Sequence, residues 1–159
     1  MKKILLLVAL LFTLASCQNT IKNNSNRNTM NQSTENTAIE KSLSVYFNAL
    51  NKSSVEQAIG QYTKDGVFMP TGFPTATGTQ ELITAYQNVF KAIQLNVTFK
   101  IEEIIAMDRD VAFVRTQSNG TQVIHATGKE TEELNREFFL MRKEDGEWKI
   151  ARYMFNQPK

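Results

Sequence analysis

The chain is poor in the residues that most often announce chemistry. It holds one cysteine and one histidine. A lone histidine with no second histidine or cysteine beside it makes no transition-metal ligand set, so no metal is expected. The single cysteine, Cys17, has no partner for a disulfide. Excess charge is scarce too. The formal net charge is +2, and Lys2 and Lys3 at the N-terminus account for it. The remainder carries no electrostatic footprint for nucleic acid, which excludes that class of partner. The strongly apolar run from Ile4 to Leu14 is too short to span a bilayer as a helix, which takes about 20 residues. There is no internal repeat, and no cofactor is expected.

What is present begins with targeting. Lys2 and Lys3 precede the apolar run, which ends in Leu14-Ala15-Ser16-Cys17. This matches the bacterial lipobox, in which small residues precede a cysteine that is lipidated and becomes the new first residue. An ordinary signal peptide that contains a cysteine is the alternative. Position, spacing and flanks favour the lipobox. Residues 1–16 are then a lipoprotein signal peptide, Cys17 is the lipidation site, and the acyl chains hold the protein on a membrane of the bacterial cell envelope. Gln18 stands where an Asp would signal inner-membrane retention in a Gram-negative cell, which favours the outer membrane. Residues 17–36 are rich in Asn, Thr, Ser and Gln, cannot bury enough apolar surface to fold, and are expected to form a flexible tether.

The domain expected over residues 37–156 is of ordinary size for one core. Thr37 with Glu40 forms a capping-box pattern, and Ile39, Leu43, Phe47 and Leu50 follow at helical spacing, which predicts a helix over 38–51. Ser53 and Glu56 suggest the cap of a second, short helix reaching Tyr62. Asp65-Gly66 reads as a turn, and Val67 to Met69 as a short strand stopped by Pro70. A third helix is predicted over 79–93. From Leu95 the period becomes two, broken at Glu102-Glu103 as by a bulge. Asp108 to Asp110 is a turn, Val111 to Gln117 a strand, and Thr121 to Ala126 a weaker one. The stretch Phe138 to Asn156 reads as two long strands closed by a charged turn bearing Gly146. Those strands carry large apolar residues on both faces. Helices must cover one face and a second sheet or subunit the other, so a homodimer through the sheet face is expected. The order of elements predicts an α+β fold in which a curved antiparallel sheet wraps three N-terminal helices and leaves a conical hollow.

Tyr62 to Pro70, then Gly78 to Ile83, then the Gly146-Glu147-Trp148-Lys149-Ile150 hairpin resemble the SnoaL-like group of the nuclear transport factor 2-like superfamily. The ending Trp148 to Asn156 is most similar to its SgcJ/EcaC-type branch. The resemblance covers nearly all of residues 37–156. It implies a cone-shaped α+β barrel with an apolar pocket, often dimeric. The best-known chemistry of the superfamily is ketosteroid isomerisation, which needs a carboxylate base, a tyrosine and a protonated acid in an apolar pocket. The resemblance puts the base beside Pro70, where this chain has Met69, and the second acid at Phe138 or Phe139. Only the tyrosine has a counterpart, Tyr46. The isomerase activity is therefore not carried over, and no catalytic residue is assigned.

The expected occupant of the hollow is a small apolar molecule. Its candidate lining is Tyr46, Tyr62, Met69, Tyr86, His125, Phe139, Met141, Tyr153 and Phe155, chosen as aromatic bodies with polar tips and as malleable thioethers. Three sites keep two readings each. Asp65 is an acid at the pocket mouth or, more simply, a turn former. His125 is a general base or a strand residue facing water. Arg136 and Glu137 are adjacent in a strand and point to opposite faces, so one of them can be inside, binding a ligand or closing an ion pair. An enzyme using His125 with Tyr46 or Glu137 is the alternative to a binding module, and a dimeric protein-interaction domain is a third.

Overall fold

A computed structural model describes residues 16–158, with side chains from residue 32 onward. The signal segment before residue 16 and the side chain of Cys17 lie outside the described residues. The chain divides into two units between Glu35 and Asn36, one residue before the expected start of the domain. The second unit holds the elements that matter for function.

The first helix, α1 (Ser16–Asn51), begins well before Thr37, so the capping-box pattern at Thr37 does not mark a helix start. Backbone expected as tether is helical here. In the domain part of α1, Ile39, Leu43, Tyr46, Phe47 and Leu50 recur every three or four residues and all are buried. A short α2 (Val55–Ile59) follows. Its cap is Ser54 rather than Ser53: the Ser54 hydroxyl accepts from the Gln57 N–H, while Ser53 sits at positive φ. The third helix, α3 (Gly78–Ala92), buries Leu82, Tyr86 and Phe90 on one face.

The strands are β1 (Tyr62–Met69), β2 (Ala76–Thr77), β3 (Ile93–Ala106), β4 (Val111–Ile124), β5 (Lys129–Glu144) and β6 (Glu147–Asn156). They form one curved, unclosed sheet in the order β2-β1-β6-β5-β4-β3. Every neighbouring pair is antiparallel except β1 and β6, which run parallel. The β3–β4 register shifts between Ile101 and Glu103, where the doubled glutamate predicts a bulge. The β5–β6 hairpin closes through Asp145 and Gly146, both at positive φ, as a two-residue turn with the twist of its strands requires.

Two local expectations fail for tertiary reasons. Asp65-Gly66 is not a turn before a strand. It lies inside β1, at a register shift against β6 between Tyr62 and Val67. The two strands expected over 111–126 are one, because Gly120 lets β4 continue past β3. A Cβ at Gly120 would stand 2.1 Å from the Asn96 carbonyl oxygen. The core lies between the concave sheet face and the helices, around Leu43, Tyr46, Leu82, Tyr86, Phe139 and Ile150. Burying side chains of this size stabilises the fold by about 1.5–3 kcal/mol each.

Candidate functional site

The hollow is present as a cavity of ≈ 280 Å³ between α1, α3 and the concave face of the sheet. Phe47, Leu50, Val89, Leu95 and Val97 give it an aliphatic and aromatic side, and Phe68, Tyr153 and Phe155 an aromatic one. Phe68 stacks on Tyr153 at a centroid distance of 5.3 Å, and Tyr153 in turn on Phe139 at 4.4 Å. The cavity reaches the surface by the loop after β1, where the lining residue Phe73 is 75 % exposed.

One strip of the wall is polar. Strand β5 alternates, so Glu133, Asn135, Glu137, Phe139 and Met141 share its inner face and all five are buried. The first three line the cavity, with Ser118 of β4 and Gln157 beyond β6. Glu137 is only 3 % exposed. Its carboxylate accepts from the Ser118 hydroxyl at 2.6 Å and from the Thr116 hydroxyl. Burial pushes its pKa up to about 6, against the pull of those two hydroxyls and with help from the charge of Glu133. Asn135 Nδ2 donates to Glu133 at 2.8 Å, while Asn135 Oδ1 is buried without a partner.

A second polar group is a chain of phenols. Tyr86 Oη lies 2.5 Å from Tyr46 Oη and 2.7 Å from Tyr62 Oη. Burial, first among the causes, holds Tyr46, Tyr62, Tyr86 and Tyr153 above the ordinary tyrosine range. All four stay neutral and can donate. For Tyr153 the charge of Glu137 adds to the effect.

Of the nine residues expected in the pocket, Tyr46, Tyr86, Tyr153 and Phe155 line it. Tyr62, Phe139 and Met141 are buried in the core without reaching it. Met69 is opposite Met154, which is 43 % exposed, on the outer sheet face, and the inward residue of β1 is its neighbour Phe68, opposite Tyr153. The bulge at Asp65-Gly66 sets that phase. His125 is exposed just past β4, where its Nδ1–H donates to the Lys91 carbonyl at the end of α3. It therefore has no access to the cavity. Asp65 is also a surface residue. Its carboxylate is held by the Arg142 guanidinium, which lowers its pKa to about 2.

Of the pair Arg136 and Glu137, Glu137 is the inner residue. It meets two hydroxyls instead of a cation. The resemblance puts an acid at 138 or 139, where this chain has phenylalanine; Glu137 stands two residues before Phe139 on the same face. Once Phe139 and Met141 are taken as inward, alternation alone brings Glu137, Asn135 and Glu133 inside, and the sequence itself carries that signal.

The pattern of the SnoaL-like domain matches residues 44–153. Among solved structures, a ketosteroid isomerase-like protein from Erwinia carotovora atroseptica is 36 % identical, with a TM-score of 0.73 over 77 % of this chain and 96 % of that one. A proposed scytalone dehydratase from Novosphingobium aromaticivorans is 17 % identical, with a TM-score of 0.72 over 82 % of this chain and 89 % of that one. A proposed aromatic ring hydroxylase from the same organism is 22 % identical, with a TM-score of 0.66 over 77 % and 89 %. No curated protein matches the chain.

Proposed function

This chain belongs to the SnoaL-like domain family, and on that premise we propose that it is a binding protein of the cell envelope that holds a small, mostly apolar molecule in its cone. One observation carries the proposal. The cavity of ≈ 280 Å³ is walled largely by apolar and aromatic side chains, with few polar groups, chief among them a strip contributed mainly by β5. Pockets that bury small molecules are built this way, with apolar walls for affinity and a few polar groups for orientation. The lipobox ending at Cys17 supports tethering, since acyl chains would keep the domain at a membrane surface. The outer face of the sheet, with Phe138 41 % exposed, supports pairing with a second copy.

The test is native mass spectrometry of the full chain as purified, followed by thermal unfolding with a panel of long-chain alcohols, sterols and polycyclic phenols. A ligand that binds only the folded state raises the melting temperature. Carried-over hydrophobic mass, or an upward shift with at least one panel member, is expected. An empty protein with no shift from any member overturns the proposal.

A second reading rests on Glu137. A carboxyl group whose pKa stands at about 6 is poised to take and return a proton near neutral pH, and the neutral phenols of Tyr46 and Tyr86 border the same cavity. In that reading Glu137 removes a proton next to a carbonyl and a phenol steadies the resulting oxyanion. Exchange of solvent deuterium into a β,γ-unsaturated ketone tests it. Exchange by the native chain that disappears in Glu137→Gln supports catalysis, and equal exchange by both excludes it. The version that uses His125 is dropped, because that ring is on the surface.

A further inference from the structure

We propose that the ligand of this cavity is a hydrophobic amine, bound as its ammonium ion against Glu133, Asn135 and Glu137. The inference rests on the binding reading above and adds the chemistry of the ligand's polar end.

Two carboxyl groups line the cavity, and among the described lining residues there is no Lys, Arg or His. Glu133 and Glu137 are 7 % and 3 % exposed. Their protein partners are neutral donors. Ser118 and Thr116 donate to Glu137, and Asn135 and Gln157, the latter at 3.3 Å, donate to Glu133. Buried carboxylates ordinarily have a cation beside them, and without one the charge is left uncompensated. Among the described residues, the protein provides hydroxyls and amides here but no positive charge.

An independent observation points the same way. Asn135 is 7 % exposed, lines the cavity, and its Oδ1 accepts nothing. The hydrogen bond from Nδ2 to Glu133 fixes the orientation of the amide, so the orphan atom is an acceptor. The strip thus offers an unused amide oxygen and the spare lone pairs of two carboxylates. It calls for a group with several N–H donors and no acceptor. An ammonium has three donors, no lone pair and the missing charge.

The rest of the cavity suits the body of such a ligand. Phe155 is the cross-strand partner of Glu137, and Phe68 and Tyr153 continue the aromatic wall from it, which covers the apolar surface of a ligand held at the strip. Among the described residues, a ligand carboxylate would meet two acids and no counter-charge.

The experiment compares three probes of one shape: 4-phenylbutylamine, 4-phenylbutanol and 4-phenylbutyrate, titrated into the full chain at neutral pH by calorimetry. The amine is expected to bind about tenfold or more tighter than the alcohol, the difference that a charged hydrogen bond makes, and the acid is expected not to bind. In Glu133→Gln/Glu137→Gln the amine's advantage should vanish while alcohol binding persists. The single variant Glu133→Gln should lose part of it. Circular dichroism confirms that each variant is folded, and if the double variant is not, the single one decides. Equal binding of amine and alcohol, tightest binding of the acid, or an unchanged ratio in the variant overturns the inference. Alcohol binding without amine preference leaves the apolar-ligand reading standing. If none of the three binds, the amine inference falls, and the wider reading is judged by its own panel.

Discussion

The Ser118 hydroxyl donates to the Glu137 carboxylate at 2.6 Å across the β4–β5 ladder, on the polar strip of a largely apolar hollow. Even with Thr116 on the other oxygen, the carboxyl keeps a pKa of about 6, against an ordinary 4.5. The sign of the linkage follows. Below about 4.5 the group is protonated in both folded and unfolded chains and costs nothing. As pH rises through that window the unfolded chain ionises first, so the folded state binds more protons and loses stability. The loss is complete above about pH 6 and amounts to roughly 2 kcal/mol. Glu137→Gln should therefore be more stable than the native chain at neutral pH and should lack its decline between pH 4.5 and 6. Urea unfolding of both chains across that range tests this. A native chain whose stability is flat there contradicts the burial of an ionised Glu137.

Much of the fold was legible because its signals are local. The buried face of α1 follows from the spacing of Ile39, Leu43, Phe47 and Leu50, and the bulge of β3 from Glu102-Glu103 breaking the alternation. Asp65-Gly66 misled because the dipeptide favours a turn in isolation. In the folded chain β1 pairs with distant β6, and Arg142 holds Asp65 on the surface, so the same residues become a kink within a strand. That kink puts Phe68 rather than Met69 inside. Where His125 falls depends on where β4 ends, and Gly120 and the distant strand β3 decide this together. The three polar residues of β5 were legible by parity with Phe139. Their lack of a cation was not, because it depends on which side chains the other strands and helices bring to the cavity.

Tyr86 is the hub of the buried phenols, since its hydroxyl meets both Tyr46 and Tyr62. Tyr86→Phe removes the partner shared by two buried hydroxyls, while Tyr62→Phe breaks only one contact with Tyr86. The first is expected to cost about 1–3 kcal/mol per hydroxyl left without a partner, and the second less in total. Chemical denaturation of the two variants gives the comparison. Equal losses would mean that the chain of hydroxyls does not act through Tyr86.

The lipobox makes a prediction independent of the cavity. Cys17→Ser removes the thiol that would carry the acyl chains and leaves residues 37–156 untouched. The native chain expressed in a bacterium should incorporate radiolabelled palmitate and sediment with membranes. The variant should do neither. Palmitate incorporation by the serine variant would place the modification elsewhere.

The outer face of the sheet carries the proposed pairing with a second copy. Phe113 and Phe138 pack there with ring centroids 4.6 Å apart, and Met154, the partner of Phe138 across the β5–β6 ladder, is 43 % exposed. Apolar side chains in a row on an open sheet lower their free energy by leaving water, and a two-fold dimer lets one patch cover itself. Phe138 points away from the cavity, whose lining on the same strand is Glu133, Asn135 and Glu137, so a change at 138 separates assembly from binding. Phe138→Arg introduces a charge that the partner copy would have to desolvate. Sedimentation velocity of the native chain in mild detergent should report a dimer, and the variant a monomer with ligand affinity unchanged. A native monomer would remove the sheet face as an interface between copies. A variant that stays dimeric would move the interface to another surface.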